Sequence, residues 1–456
     1  MPHHPPDRRH FLKQSSIALA LASAGLPPHA SAQTAPTPTP TPTPLPTPVQ
    51  ISTQPPAPPK PLPFEVTASL YPWDLHDEGT EHVLDNLQSM ASVNSVYLVA
   101  LMHHEKRPLT SPTFPHNPVR QTWTAEDSRS YWHPHLALYG AIKPQLSDFP
   151  WISDTDWLAN LTEAARKRRL KTGAELSHTL VNQDLLTSQF SQCVQRDIHG
   201  QPHSIVGGAF HLCPNNPTAM EYTLALYRDL VSNYDIDFVQ TCTIPLMRGG
   251  VESGGCFCDS CMAAAQAQQV DLKKIQAALL ANPNSSPDYQ AWQRFRFDTM
   301  TRYYTAIHSH VHSVRPAIEF RLNHDFRACS DWGLNLRALR PAIDSIRVCD
   351  YTEQKGDPAL MQDKDEWLAE TRAALGTAFP MLSAIAVRPK ATPALIHRGV
   401  QIALFHQAAG LSLGHYDGAE FPMLRAIKEQ LTASKIEVPP TLAPLPTLTP
   451  PPAQHP

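Results

Sequence analysis

The sequence predicts a (β/α)8 barrel carried between two non-globular ends. Eight short strand-like runs recur between Phe64 and Val438, each followed by a segment that can supply a helix. Helix starts are marked by Asn216-Pro217, Ser286-Pro287 and Thr392-Pro393, a capping residue followed by a proline suited to the first turn. No Gly-rich phosphate loop follows the first strand, which counts against the runner-up, a doubly wound open sheet.

The strand-like runs are Phe64–Leu70, Ser95–Leu101, Lys171–Ser177, Ile236–Thr243, Ala317–Asn323, Ser345–Tyr351, Phe379–Val387 and Leu411–Tyr416. After the third run, Met220, Leu224, Tyr227, Leu230 and Tyr234 recur at helical spacing. A longer helix carries Trp292, Phe295, Tyr303, Ile307 and Val311 on one face. Leu395, Ile396 and Val400 mark the next, and Leu424, Ile427 and Leu431 the last. The longest excursions follow the second, third and fourth strands.

The ends read differently. Asp7-Arg8-Arg9-His10-Phe11-Leu12-Lys13 matches a twin-arginine consensus, an apolar run spans Ile17 to Leu26, and Ala30-Ser31-Ala32 supplies a small-x-small cleavage site. Residues 1–32 are therefore expected to be a twin-arginine signal peptide, directing export to the periplasm or beyond through the twin-arginine machinery. Residues 33–63 are a Pro/Thr-rich linker, extended because proline fixes φ and removes donors. Residues 64–438 form the barrel domain, and 439–456 a Pro-rich tail expected to be disordered. Hydrophobic residues make up 42% and charged residues 17%, as in a globular domain. The net charge of −4 provides no footprint for nucleic acid or an anionic membrane. No stretch after the signal is apolar enough to span a bilayer.

Eight cysteines stand at 193, 213, 242, 256, 258, 261, 329 and 349. Cys256-Phe257-Cys258-Asp259-Ser260-Cys261 is too tight for three separate disulfides, but it lets three thiolates converge on a tetrahedral Zn2+. Cys213 is the best fourth ligand, because the start of the helix before the fourth strand lies at the same end of a barrel as the loop after that strand. Oxidation is the competing outcome for an exported chain with an even cysteine count. A twin-arginine substrate is exported already folded, so the metal can load in a reducing cytoplasm. Cys329 and Cys349 could pair or be small buried residues, and Cys193 and Cys242 are read as buried.

His211-Leu212-Cys213-Pro214-Asn215-Asn216-Pro217, then a helix, a strand and Cys-x-Cys-x-x-Cys, resembles the family-42 β-galactosidases and a related group of glycoside-hydrolase-like barrels. The resemblance covers roughly residues 205 to 262. It implies a structural zinc site on Cys213, Cys256, Cys258 and Cys261 beside an active site. It also implies a glutamate at the end of the fourth strand and another at the end of the seventh. Here those strands end Gln240-Thr241-Cys242-Thr243 and Ile385-Ala386-Val387, without either carboxylate.

Other strand ends supply acids. Asp325 and Asp350 follow adjacent strands and are expected to be the acid/base pair, with Asp417 and Glu252 as further catalytic candidates. Glu175 and Asp74 also stand near strand ends. Trp73, His178, Arg321 and Tyr416 are expected to line a sugar site. The function expected is an exported glycoside hydrolase acting on a carbohydrate. Its rivals are a carbohydrate-binding barrel without catalysis and a metal-dependent hydrolase built on His103, His104, Glu105, His178 and His324.

Overall fold

In the computed structural model, residues 63–440 are described, apart from 103–113, 121–128, 203, 206–207, 242–245, 247–249, 252–253, 325–326 and 328. They belong to one compact unit, Lys60–Pro456. The signal segment, nearly all of the linker and most of the tail lie outside the described residues, as do His103, His104, Glu105, Cys242, Glu252 and Asp325.

Eight parallel strands close into a barrel. They are β1 (Glu65–Leu70), β2 (Ser95–Met102), β3 (Lys171–Ser177), β4 (Phe238–Thr241), β5 (Glu319–His324), β6 (Ser345–Val348), β7 (Met381–Ala386) and β8 (Gly410–Gly414). The ring runs in chain order and closes where Val66 of β1 faces Leu411 of β8. Each of the eight predicted runs contains or overlaps one barrel strand.

Among the helices, which also include Asp259–Ala267 and Leu272–Ala281, are α1 (Pro72–Glu78), α2 (Thr80–Ala91), α3 (Trp157–Lys167), α4 (Pro217–Asn233), α5 (Ser286–Val314), α6 (Met361–Leu375), α7 (Pro393–Phe405) and α8 (Phe421–Ala433). The Asn216 side chain accepts from Ala219 N–H to cap α4, and Thr392 accepts from Leu395 N–H to cap α7. The long helix begins one residue earlier than Ser286-Pro287 suggested as a cap, with Ser285 in that role. Between β5 and β6 only short turns of helix occur among the described residues, at Cys329–Trp332, Leu336–Leu339 and Arg340–Ala342. Gly333, at φ 71°, and Pro341 interrupt any longer run there. A small antiparallel sheet of Leu180–Val181, Ala209–His211 and Ser204–Ile205, unmarked in the hydropathy pattern, sits in the excursion after β3. No helix among the described residues is long and apolar enough to cross a membrane.

Strand periodicity sorts the side chains. Val66, Ala68 and Leu70, with Val96, Leu98, Phe320, Leu322, Ile346 and Val348, belong to the apolar core shared with the helices. The alternate residues face the barrel axis, and many are polar. Arg321 lies on that axis at the N-terminal end, with its guanidinium 3.0 Å from Glu65 and 2.9 Å from Glu319. Lys171 Nζ reaches the same two carboxylates at 2.8 and 2.5 Å. Ser345 donates to Glu319 as well. The Phe238 ring lies 4.2 Å from the Arg321 guanidinium carbon and fills the space that the missing side chain of Gly173 leaves.

Burial alone would raise the carboxyl pKa of Glu65 and Glu319, but Arg321 and Lys171 hold both below the ordinary 4.5. Their contribution is therefore complete above that value and is lost as pH falls through the lower folded-state values. Arg321→Met leaves two buried carboxylates facing one lysine. It should cost about 3–5 kcal/mol, read as a lower urea midpoint at neutral pH. An unchanged midpoint would show that the cluster contributes nothing.

Candidate active site

Above the floor lies a second polar layer. Arg347 of β6 donates to Ser412 Oγ at 2.6 Å, to Asn323 Oδ1 at 3.0 Å and to the Tyr351 hydroxyl. Glu175 of β3 accepts from Asn323 Nδ2 at 3.2 Å and from Gln240, with Arg347 3.9 Å away. Over this layer runs a series of rings. Tyr351 and Tyr71 flank His415 at 6.3 and 5.2 Å, Tyr71 stacks on Trp73 at 4.4 Å, and Tyr131 meets Trp73 edge-on. His415 Nδ1 lies 2.5 Å from Ser69 Oγ. Polar groups beneath aromatic faces suit a polyhydroxylated ligand.

At the β7–β8–β1 side of the mouth, three loops bring together Asp74, Arg388 and Asp417. Asp74, in the first turn of α1, accepts from Tyr71 N–H through Oδ2 at 2.8 Å. Arg388, two residues after β7, donates to Asp417 Oδ1 at 3.2 Å. Asp74 Oδ1, Asp417 Oδ2, Arg388 Nε and Trp73 Nε1 are all buried without a hydrogen-bond partner among the described residues. Buried polar atoms are normally satisfied; others without a partner occur lower in the barrel, at Arg321 Nη1, Gln240 Oε1 and Thr67 Oγ1, but these four share the loops of three adjacent strands, where a ligand's hydroxyls could bond. Burial, and next the Asp417 charge, push the Asp74 carboxyl well above the ordinary carboxylate range. It can therefore hold a proton beside Asp417, which is ion-paired with Arg388.

Among the sequence-predicted residues, Trp73 and Asp417 stand at this rim, and Asp325 and Glu252 are outside the described residues. The remaining four expectations are corrected. Asp350 faces away from the axis: its Oδ1 accepts from Thr352 N–H at 2.7 Å and lies 3.8 Å from Lys364 of α6, while Cys349 takes the inward position. Arg321 is on the axis but at the closed end, ion-paired in the floor. His178 turns into the helix layer, where Nε2 meets the Tyr303 hydroxyl at 2.9 Å and its ring meets Tyr227 edge-on. Tyr416 also points outward; its hydroxyl donates to Glu78 and accepts from Asn86.

Of the histidine metal set only His178 and His324 are described, and they do not converge. His324 Nε2 accepts from Trp367 of α6 at 2.8 Å, whereas His178 is held by α5, so the two rings lie behind different parts of the sheet. Burial lowers both imidazoles to about 4, leaving them neutral near pH 7.

The cysteine cluster does assemble. The sulfurs of Cys213, Cys256, Cys258 and Cys261 all lie within 4.8 Å of one another and are buried. Cys213 Sγ is 3.5 Å from that of Cys261 and 3.4 Å from that of Cys258. These separations far exceed the bonded distance of about 2.05 Å in a disulfide. They are close to the edge of a tetrahedron with ligands about 2.3 Å from its centre. Arg196 N–H and Asn215 Nδ2 donate to the sulfurs of Cys256 and Cys261 at 3.4 and 3.3 Å, as groups behind a thiolate site do. The four residues have their own small core with Phe257, Leu272, Leu279, Trp292 and Phe295. Cys329 and Cys349 do not pair with each other: Cys329 contacts His324 and Cys349 contacts Asn323.

This architecture is a (β/α)8 barrel. No family model matches the sequence, and no curated protein matches it. Among solved structures, α-L-fucosidase isoenzyme 2 from Paenibacillus thiaminolyticus superimposes with TM-score 0.56 and 14% identity, covering 82% of this chain and 50% of that one. The PgaB (BpsB) glycoside hydrolase domain from Bordetella bronchiseptica gives 0.56 and 12%, covering 82% and 99%. A polyextremophilic β-galactosidase from the Antarctic haloarchaeon Halorubrum lacusprofundi gives 0.55 and 13%, covering 82% and 58%. The chain thus spans half the length of the fucosidase and little more of the galactosidase.

A carboxyl whose folded-state pKa is raised opposes folding increasingly as pH rises past its unfolded value, 3.8 for Asp74. Asp74→Asn keeps an acceptor for Tyr71 N–H. It should melt at a higher temperature than the wild type at pH 7, and the gap should close as pH falls toward 4. Thermal melts of both proteins across that range check the sign.

Proposed function

We propose that this protein is a glycoside hydrolase acting on a carbohydrate outside the cytoplasm, with Asp74 and Asp417 as its acid/base centre. The observation that carries the reading is the unfilled hydrogen-bonding capacity of Asp74, Asp417, Arg388 and Trp73 at the mouth of this barrel. In this reading protonated Asp74 delivers its proton to the leaving-group oxygen, and Asp417 meets the positive charge that develops at the sugar carbon or activates water. Arg388 holds the Asp417 carboxylate in place. Trp73 and the Tyr71–His415–Tyr351 rings pack against the sugar. Asp325 and Glu252, which follow the fifth and fourth strands in the sequence, are proposed as further catalytic carboxylates.

The cysteine cluster is proposed to hold a structural Zn2+, as the resemblance to the family-42 β-galactosidases implies. Four buried sulfurs at tetrahedral spacing, with N–H donors behind two of them, support this. The Arg8-Arg9 segment supports export through the twin-arginine route, which would let the thiols take their metal before leaving a reducing compartment.

A panel of aryl glycosides and oligosaccharides tests the catalytic reading. The wild type should turn over at least one member. Asp74→Asn and Asp417→Asn should each lower kcat by about 10²–10⁴-fold while sugar binding and the circular dichroism spectrum persist. Full activity in both variants would remove the assignment.

Cobalt substitution tests the metal. Chelator-washed protein should give thiolate-to-cobalt charge-transfer bands, and Cys213→Ser/Cys256→Ser should lack them and melt earlier. Absence of those bands from the reduced wild type would refute it.

A further inference from the structure

The structure assigns a second metal site, for a borderline divalent cation such as Zn2+, to His308, His312 and Asp344 on the N-terminal face of the barrel. It lies at the opposite end from the mouth and shares no residue with it.

His308 and His312 are one turn apart near the C-terminal end of α5, so their rings lie side by side, with centroids 4.3 Å apart. Asp344 immediately precedes β6 and points at both. His308 Nε2 is 3.3 Å from its Oδ1, and His312 Nε2 is 2.9 Å from its Oδ2. One donor atom from each residue lies within 4.8 Å of the others. Two imidazoles at i, i+4 and one carboxylate form a three-ligand set for zinc-like ions, with water left to complete the sphere. All three side chains are partly exposed, between 23 and 34%, so an ion can enter.

The orientation of the groups carries the argument further. His312 Nδ1 lies 2.9 Å from the backbone carbonyl of Pro316, which can only accept. Nδ1 therefore carries the hydrogen, and neutral His312 presents a lone pair on Nε2 to the lone pairs of a carboxylate. Only a cation between them, a proton or a metal ion, makes that contact favourable. The same backbone-anchored tautomer is what metal-ligating histidines use. Asp344 is oriented in turn, because its Oδ2 accepts from Phe320 N–H at 2.7 Å. The helix C-terminus adds the negative end of its dipole. An ion here would clamp the end of α5 to the bases of β5 and β6.

The test uses the full chain with its cysteine cluster kept loaded, titrated calorimetrically with zinc chloride above the ordinary histidine pKa range. The wild type should take one further equivalent and melt at a higher temperature with it. His308→Ala/His312→Ala should lose that equivalent, or bind it more than about tenfold more weakly, and lose the zinc-dependent rise in melting temperature while its metal-free spectrum is unchanged. If wild type and variant take up zinc alike, or the wild type takes none, the cluster is an imidazolium–carboxylate pair and the assignment fails.

Discussion

The buried guanidinium of Arg321 holds the closed end of this barrel together. Glu65 of β1 and Glu319 and Arg321 of β5 belong to strands on opposite sides of the ring, and Lys171 comes from β3 between them. A charge taken from water is costly unless paired, and the penalty is offset only when every partner is in place. The cluster therefore works as a constraint on register. A slip of one residue in β1 or β5 would turn a charged side chain into the apolar layer between strands and helices. Phe238, lying over both cations, fills the remaining volume that Gly173 concedes.

With the floor fixed, further polar groups follow toward the mouth. Arg347 and Glu175 form a second layer in which Asn323, Gln240 and Ser412 provide further bonds. At the rim, Asp74, Asp417 and Arg388 each keep a buried hydrogen-bonding atom without a partner among the described residues, as Arg321, Gln240 and Thr67 do lower in the barrel.

The strands were legible because parallel strands covered on both sides appear as short apolar runs between turns. Helix starts were legible where Asn216-Pro217 and Thr392-Pro393 supply a cap and a compatible first residue. The cysteine set was legible because its spacing admits few chemistries. The site was less so, because a strand-end residue can face either way and the phase of alternation is not written in local sequence. Tyr416 and Asp350 each fall one residue from the side chain that points inward, His415 and Cys349. Arg321 had the right phase but the wrong depth, which only the pairing with Glu65 and Glu319 reveals. Arg388 stands just past the end of the seventh predicted run, and Asp74 gained its significance from Asp417, distant in sequence. His308, His312 and Asp344 come together only once α5 is packed beside the turn before β6.

The stopper formed by Phe238 and Arg321 has a further consequence. The barrel axis is filled by side chains from its closed end upward, so a solute could meet this barrel only at the loops of its open end.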